Sequence, residues 1–159
     1  MEDAVKLQET VLKSSVRLLG DDHPDTLKVM GNLALTYQNQ GRWGDAVKLE
    51  ETVLKSRVRL LGDDHPDTLR AMANFASSCI EGRLDDSIAM LEKSYETMKK
   101  LLGDEHPDTL WTLAWLARAY HLDGKLDESI ALQEKAGEAT KRVLGENHPH
   151  TIGCINQLE

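Results

Sequence analysis

The 159-residue sequence contains few cysteines, prolines and aromatic residues, and each shortage narrows what the chain can be. It has two cysteines, four prolines and 4% aromatic residues.

The two cysteines are too few for a disulfide framework, and Cys79 and Cys154 form no CxxC pair. Both are therefore expected to be reduced thiols in a reducing compartment.

Positive charge and long hydrophobic runs are scarce as well. The chain has 19 Lys and Arg against 27 Asp and Glu, which gives a formal net charge of -8 at pH 7. Nucleic acids and anionic membranes attract a surplus of Lys and Arg, so neither is an expected partner. No apolar run reaches the roughly 18 residues of a membrane span, and the acidic start at Met1–Ala4 is unlike a signal peptide. We expect a soluble, cytoplasmic protein.

Patterns that would indicate catalysis or a bound metal are also missing. The sequence has no Gly-x-Ser-x-Gly nucleophile elbow and no glycine-rich phosphate loop. Its Gly-Asp-Asp runs lack the glycine and glutamate spacing of a calcium loop. Repeated histidines would lie about 10 Å apart in stacked units, whereas zinc needs nitrogens about 2 Å away. We therefore predict no enzyme, no cofactor and no metal site.

What the sequence does contain is an internal repeat of about 42 residues. His-Pro occurs four times, at spacings of 42, 41 and 42 residues, and a glycine precedes each histidine by three positions. The histidines are His23, His65, His106 and His148, and the glycines are Gly20, Gly62, Gly103 and Gly145. Asp3–Leu27 and Asp45–Leu69 differ at only two positions. A fixed period of this length indicates a stacked repeat architecture.

Each unit has the pattern of a helical hairpin. A glycine such as Gly20 favours a left-handed helix end, Pro24 suits the first position of a new helix, and Asp25 suits its first turn. Apolar residues recur in the first helix at helical spacing, at Leu27, Met30, Leu33, Ala34 and Tyr37. The second helix begins near 43–45 and is expected to bury Ala46, Leu49, Val53, Leu54, Leu60 and Leu61.

The pattern predicts eight helices and no strand. They lie near 2–19, 24–39, 43–61, 66–80, 84–102, 107–122, 126–144 and 149–158. The 41-residue unit lacks one residue at the end of the fourth helix or in its turn. Because each hairpin exposes an apolar face that only a neighbour can cover, the units must stack.

The repeats divide the chain into five segments of one solenoid over 1–159. Residues 1–22 form the second helix of an incomplete repeat, and 148–159 form the first helix of a truncated one. Complete repeats occupy 23–64, 65–105 and 106–147. Since neither end looks like a polar cap, we expect a segment of a longer array or an array whose ends are covered.

The residues Leu33-Ala34-x-x-Tyr37-x-x-x-Gly41-Arg-Trp-x-x-Ala46 resemble the tetratricopeptide repeat. The long unit, with Leu-Gly-Asp-Asp-His-Pro-Asp-Thr-Leu between hairpins, is similar to the kinesin-light-chain subtype. Near-identical tandem copies also resemble the arrays of fungal NLR-like proteins. The resemblance implies a right-handed α-solenoid of antiparallel hairpins, the tetratricopeptide superhelix, that acts as a scaffold for proteins or peptides. Cys79 departs from it where Tyr37 and Tyr120 stand, and Gly137 stands in the middle of a helix.

In such arrays the first helices line a concave groove, and the face beside the core stripe supplies its side chains. The predicted groove residues are Lys28, Asn32 and Leu35 in the first complete repeat, Arg70, Asn74 and Ser77 in the second, and Trp111, Trp115 and Arg118 in the third. The resemblance implies that the asparagines bind a ligand's backbone, because an amide both donates and accepts. The cations favour carboxylates, and the tryptophans offer apolar anchors.

The charged, amide and tryptophan side chains among these residues also have a structural interpretation. The cations fit an ordinary solvated surface, the asparagines could bond between hairpins, and Trp115 could pack against a neighbouring helix. Trp43, at the start of a second helix, is interpreted as a core residue. The leading hypothesis is a non-catalytic module that binds an acidic protein or peptide segment with apolar anchors. The alternative is a structural spacer, or an array that self-associates through its repeat ends.

Overall fold

A computed structural model describes residues 2–145 of the chain. Over that range the backbone forms seven α-helices and no strand, which confirms the all-α prediction. The helices are α1 (Glu2–Leu19), α2 (Pro24–Asn39), α3 (Trp43–Leu61), α4 (Pro66–Cys79), α5 (Leu84–Leu102), α6 (Pro107–Leu122) and α7 (Leu126–Leu144). Their bounds agree with the predicted ones, apart from α4, which ends one residue earlier. The eighth predicted helix, near 149–158, lies outside the described residues.

The chain divides into two compact units, Met1–Asp63 and Asp64–Glu159. In the first unit α1 packs against α2, and α2 packs against α3. In the second, α4, α5 and α6 each pack against the next helix, and α4 also contacts α6. Each unit is therefore built from helices that pack against their sequence neighbours, as stacked hairpins require.

The His-Pro motif forms the start of a first helix at each of its described occurrences. The histidine is the N-cap residue, proline takes the first helical position, and the imidazole Nδ1 accepts a hydrogen bond from the N–H of the following aspartate. These bonds join His23 to Asp25 at 3.2 Å, His65 to Asp67 at 3.1 Å and His106 to Asp108 at 3.2 Å. The repeated histidine thus satisfies one of the N–H groups that a helix start leaves without a partner.

The second helices end at glycine because the backbone there adopts φ and ψ angles that residues with a side chain rarely adopt. Gly62 has φ 87° and ψ 169°, and Gly103 has φ 93° and ψ 164°. Each N–H donates back to the carbonyl four residues earlier, Val58 at 3.0 Å and Lys99 at 3.1 Å. The positive φ agrees with the prediction. The extended ψ differs from a left-handed cap and is essentially restricted to glycine.

The missing residue of the 41-residue unit shortens α4. This helix has 14 residues, whereas α2 and α6 have 16 each. The turn that follows it, 80–83, is one residue longer than the turn 40–42 after α2. The deletion is therefore absorbed at the end of the fourth helix, as its position in the sequence indicates.

Each unit has its own apolar core at the predicted helical positions. In the first, Val5 of α1, Leu33, Ala34 and Tyr37 of α2 and Ala46 of α3 form one cluster. In the second, the cluster draws on all four helices, with Ala73, Ala76, Ile80, Ile88, Leu91, Tyr95, Leu113, Leu116, Ala119 and Ala136. Burial of these side chains is the main driving force for stacking.

The prediction that three further residues belong to the core is wrong, because all three are exposed. Leu60 is 52% exposed and Leu61 is 45% exposed, because α3 has 19 residues against the 16 of α2. The last turn of α3 therefore extends beyond the start of its hairpin partner. Trp43 is 36% exposed because it occupies the first residue of its helix. The equivalent Leu126 of α7 is likewise exposed.

Candidate ligand-binding surface

In the first unit, three predicted groove residues lie on one exposed face of α2. Lys28, Asn32 and Leu35 are spaced i, i+4 and i+7, and all three are exposed. Within the described range Lys28 has no carboxylate at ion-pair distance, and the Asn32 side chain makes no hydrogen bond. The Asn32 carbonyl accepts from the Thr36 hydroxyl at 3.0 Å. This face therefore presents a cation, an amide and an apolar side chain to solvent.

In the second unit, the α4 residues of the predicted groove differ in accessibility. Arg70 is exposed, Asn74 is half-buried, and Ser77 is only 2% exposed. The Ser77 hydroxyl donates to the Asn74 carbonyl at 2.7 Å, so it serves the helix backbone. The amide group of Asn74 makes no hydrogen bond to the described part of the chain. Asn74, and not Ser77, is thus the α4 residue with capacity to bind a ligand's backbone.

The guanidinium of Arg70 is already engaged by two carboxylates. It binds Asp67, one turn earlier on α4, at 2.6 Å, and it lies 3.8 Å from Asp108 at the start of α6. These contacts connect the two first helices and offset the charge of Arg70. A ligand's carboxylate would have to compete with both aspartates, so Arg70 is a weaker anion site than its residue type suggests.

On α6, Trp111, Trp115 and Arg118 form a continuous cluster. The two indole rings meet edge to face, with centroids 5.8 Å apart and an interplanar angle of 76°. The Arg118 guanidinium carbon lies 5.5 Å from the centroid of the Trp115 ring, which is within cation–π distance. Trp111 and Trp115 are half-buried and Arg118 is exposed. Arg118 has no carboxylate at ion-pair distance within residues 2–145.

Two interpretations of Trp115 were open from the sequence, exposure in the groove and packing against a neighbouring helix, and each fits in part. Part of its surface packs against the core cluster of the second unit, and the rest stays accessible. This packing holds the indole in place beneath Arg118. A ring fixed in this way loses little entropy when a ligand contacts it.

Three of these contacts were not predicted from the sequence. The stacking of Arg118 on Trp115 and the pairing of Arg70 with Asp67 both follow i, i+3 spacing on a helix. That spacing is present in the sequence and could have indicated both. The contact between Arg70 and Asp108 joins separate helices, and no local signal predicts it.

Two kinds of site are absent from the described part of the chain, a metal-ligand cluster and a membrane-spanning helix. Within 2–145, no group of three or more His, Cys, Asp and Glu side chains could hold a metal ion. No helix in that range is long and apolar enough to cross a membrane. The arrangement offers amides, cations and aromatic rings on first-helix faces. Together with the stacked hairpins, these features define a helical-repeat protein.

Comparison with known proteins identifies the repeat. Tetratricopeptide repeat models match residues 1–25, 26–67 and 76–136, which together make up most of the chain. The chain therefore belongs to the tetratricopeptide repeat family. Arrays of this family generally mediate protein–protein interaction, and their fold is typically a non-catalytic interaction module. No curated protein matches the chain.

Solved structures show the same fold and point to the kinesin-light-chain-like subtype. A kinesin-light-chain-like protein of Podospora anserina with nearly identical TPR-like repeats is 29% identical, with 99% of this chain and 75% of that chain covered and a TM-score of 0.74. A point variant of that protein is 28% identical, with coverage of 99% and 74% and a TM-score of 0.76. BtubC (BKLC) from P. vanneervenii has 16% identity, coverage of 99% and 72% and a TM-score of 0.71, a likeness of fold alone.

Proposed function

We propose that the face formed by α4 and α6 binds an extended segment of a partner protein in which a carboxylate closely follows an apolar side chain. One observation carries the proposal. Arg118 is exposed, stacked on Trp115, and has no acidic partner within the described residues. An arginine held over an aromatic ring keeps its hydrogen-bonding edge available for a carboxylate.

The tryptophans supply the apolar part of the surface. Trp111 and Trp115 meet edge to face and leave accessible ring surface next to Arg118. Tryptophan and arginine are enriched among residues that dominate binding energy. An apolar ligand side chain on the rings would exclude water around Arg118 and so strengthen its attraction to a carboxylate.

Asn74 supports binding of the ligand's main chain. Its amide has no hydrogen bond to the described residues, and an amide can donate to one peptide group while accepting from another. Asn32, with Lys28 and Leu35, offers the same chemistry on α2. We propose that this face binds a ligand in the same manner. The continuous groove, the repeat boundaries and the cytoplasmic location inferred from the sequence remain predictions.

The test is a fluorescence titration with a library of acidic peptides. In a Trp43→Phe background the two remaining tryptophans both lie on the proposed surface, so binding should change their emission. Trp111→Ala and Arg118→Ala should each weaken the selected peptide by about tenfold or more, as expected for dominant interface residues. The affinity should also fall as salt rises, since exposed charge pairs are screened.

Lys100→Ala is the matched control. Lys100 is an exposed cation on α5, outside the proposed surface, and has no ion pair within the described residues. Its removal lowers the charge by the same amount and should leave affinity unchanged. If Lys100→Ala and Arg118→Ala lose the same affinity for the peptide, the effect of Arg118→Ala comes from the net charge of the protein and not from a specific contact. Unchanged affinity for both Trp111→Ala and Arg118→Ala, with the fold retained, would contradict the proposed surface.

A further inference from the structure

The second helices of the first unit end in exposed leucines. α1 ends with Leu18 and Leu19, which are 73% and 48% exposed, and α3 ends with Leu60 and Leu61, which are 52% and 45% exposed. Neighbouring apolar side chains that are exposed to this degree often mark an interaction site. These four residues, the leucine edge, lie on second helices, whereas the proposed ligand-binding surface is formed by first helices.

The exposed leucine before the last residue of a second helix recurs in the second unit. Leu101 of α5 occupies the register of Leu60 of α3, and it is 53% exposed. Both helices have 19 residues, whereas the first helices of their hairpins, α2 and α4, have 16 and 14. The last turn of the second helix therefore extends beyond its hairpin partner. The exposure of this leucine is a property of the repeat.

A polar contact holds the ends of α1 and α3 side by side. Asp22, three residues after Leu19, accepts a hydrogen bond from the Ser56 hydroxyl of α3 at 2.8 Å. The same carboxylate forms an ion pair with Arg59, which directly precedes Leu60. The leucines of the two helices therefore form one apolar edge, and the charges of Asp22 and Arg59 offset each other beside it.

The other charges beside the leucine edge have both signs. Arg17 precedes the leucines of α1, while Asp21 and Asp63 follow those of α1 and α3. All three are exposed, and none has an ion-pair partner within residues 2–145. A partner of one charge sign would be attracted by some of these side chains and repelled by others. A partner with an apolar strip between a cation and an anion complements them, and the leucine edge is itself such a surface.

We infer that the leucine edges of two copies of this chain pack against each other about a twofold axis. In this arrangement the end of α1 in one copy lies against the end of α3 in the other, and each Arg17 pairs with an Asp63. Because both copies use the same surface, the contact closes at two chains. Four leucines a side make a smaller contact than the roughly 800 Å² per partner of a stable interface. The dimer is therefore weak and depends on protein concentration.

Light scattering over a concentration series tests the dimer. The wild-type chain of 17.8 kDa should approach twice that mass as its concentration rises to about 1 mM. Leu60→Glu places a charge within the contact and should weaken dimerisation by about tenfold or more. Its circular dichroism should stay unchanged, because Leu60 is exposed.

Leu126→Glu is the matched control for Leu60→Glu. Leu126 is also 52% exposed, but it lies at the start of α7 and not at the end of a second helix. This variant should dimerise like wild type. A wild-type chain that keeps the mass of one molecule at every concentration, or a Leu60→Glu variant that dimerises like wild type, overturns the inference.

A charge exchange tests the twofold arrangement. Arg17→Glu sets two acids against each other, and Asp63→Lys sets two cations against each other, so each variant alone should dimerise less than wild type. In a mixture of the two variants, the reversed charges meet each other and the unchanged Arg17 meets the unchanged Asp63. The mixture should therefore dimerise about as tightly as wild type. A mixture that dimerises no better than either variant alone overturns the twofold arrangement. Because no peptide is present, neither outcome depends on the proposed function.

Discussion

The Tyr37 hydroxyl donates a hydrogen bond to the Glu9 carboxylate at 2.7 Å, and Tyr120 makes the same bond to Glu92 at 2.6 Å. Each bond joins a first helix to the second helix that precedes it along the chain. Burial, followed by the bond to Glu92, raises the pKa of Tyr120 to about 12. The repeat thus carries a polar tie between successive hairpins in addition to its apolar core.

Replacing the hydroxyl of this tie should destabilise the first unit. Tyr37→Phe removes the donor and keeps the ring, so we expect a loss of about 1 kcal/mol in the free energy of unfolding. A double-mutant cycle with Glu9→Gln isolates the pairwise energy in urea denaturation. If the effects of the two substitutions simply add, the bond contributes nothing.

Glu50 is a buried carboxyl in a position that suits an apolar residue. It is 2% exposed, and its Oε2 atom has no hydrogen-bond partner within the described residues. Leu91 stands at the equivalent position of α5 and is fully buried. Burial raises the pKa of Glu50 to about 8, and the charge of Arg57 opposes that shift. The side chain is therefore held mostly protonated at neutral pH.

The shift in Glu50 predicts how stability depends on pH. The raised pKa in the folded state means that its contribution is fully present below pH 4.5 and is lost as pH rises through about 8. Glu50→Leu should remove this dependence and raise the free energy of unfolding above pH 8 by about 1–3 kcal/mol. Denaturation of both proteins at acidic and alkaline pH measures it. An unchanged pH profile in Glu50→Leu would show that another group causes the dependence.

Two glycines should respond in opposite ways to alanine. Gly103 adopts φ 93°, so Gly103→Ala should cost about 1–3 kcal/mol in backbone strain. Gly137 lies inside α7 with ordinary φ, and an added Cβ would meet nothing within 4 Å. Gly137→Ala should therefore stabilise the chain by about 0.5–1 kcal/mol. Thermal unfolding of both variants provides the comparison. A stabilised Gly103→Ala would contradict the assignment of strain.

The N-cap histidine gives a matched pair of substitutions. His65→Asn keeps a side-chain acceptor for the Asp67 N–H, whereas His65→Ala removes it. We expect His65→Ala to lose about 1 kcal/mol and His65→Asn to stay near wild type. Chemical denaturation measures both. Equal losses would mean that the ring is needed for packing and not for capping.

The helix bounds could be predicted well because the residues that begin and end a helix act over a short stretch of sequence. Gly62, His65 and Pro66 determine where one helix ends and the next begins, and all three act within a few residues. The exposure of individual side chains was harder to predict, since it depends on which helix covers each turn. Leu60 has the same residue type and spacing as core leucines, yet it lies past the start of α2. Periodicity alone cannot separate the two cases.

The residue types of the candidate surface could be predicted from the sequence. Which of these side chains are free to bind a ligand could not. The sequence placed Arg70 and Arg118 on equivalent faces, and the structure gives them different partners. Asp108 reaches Arg70 from a separate helix, while Arg118 is stacked on Trp115. Ser77 faces inward on the shortened α4 and bonds its own backbone. These differences arise from packing between helices, which residue spacing does not encode.

Calorimetric binding of charge-reversed pairs tests the proposed surface most directly. A peptide selected on the wild-type chain should lose at least about tenfold in affinity for Arg118→Glu. The same peptide with its carboxylate residue replaced by lysine should bind Arg118→Glu better than it binds wild type. Recovery of binding in that pair would place the carboxylate at Arg118. If Arg118→Glu binds the original peptide as tightly as wild type does, the ligand lies elsewhere on the molecule.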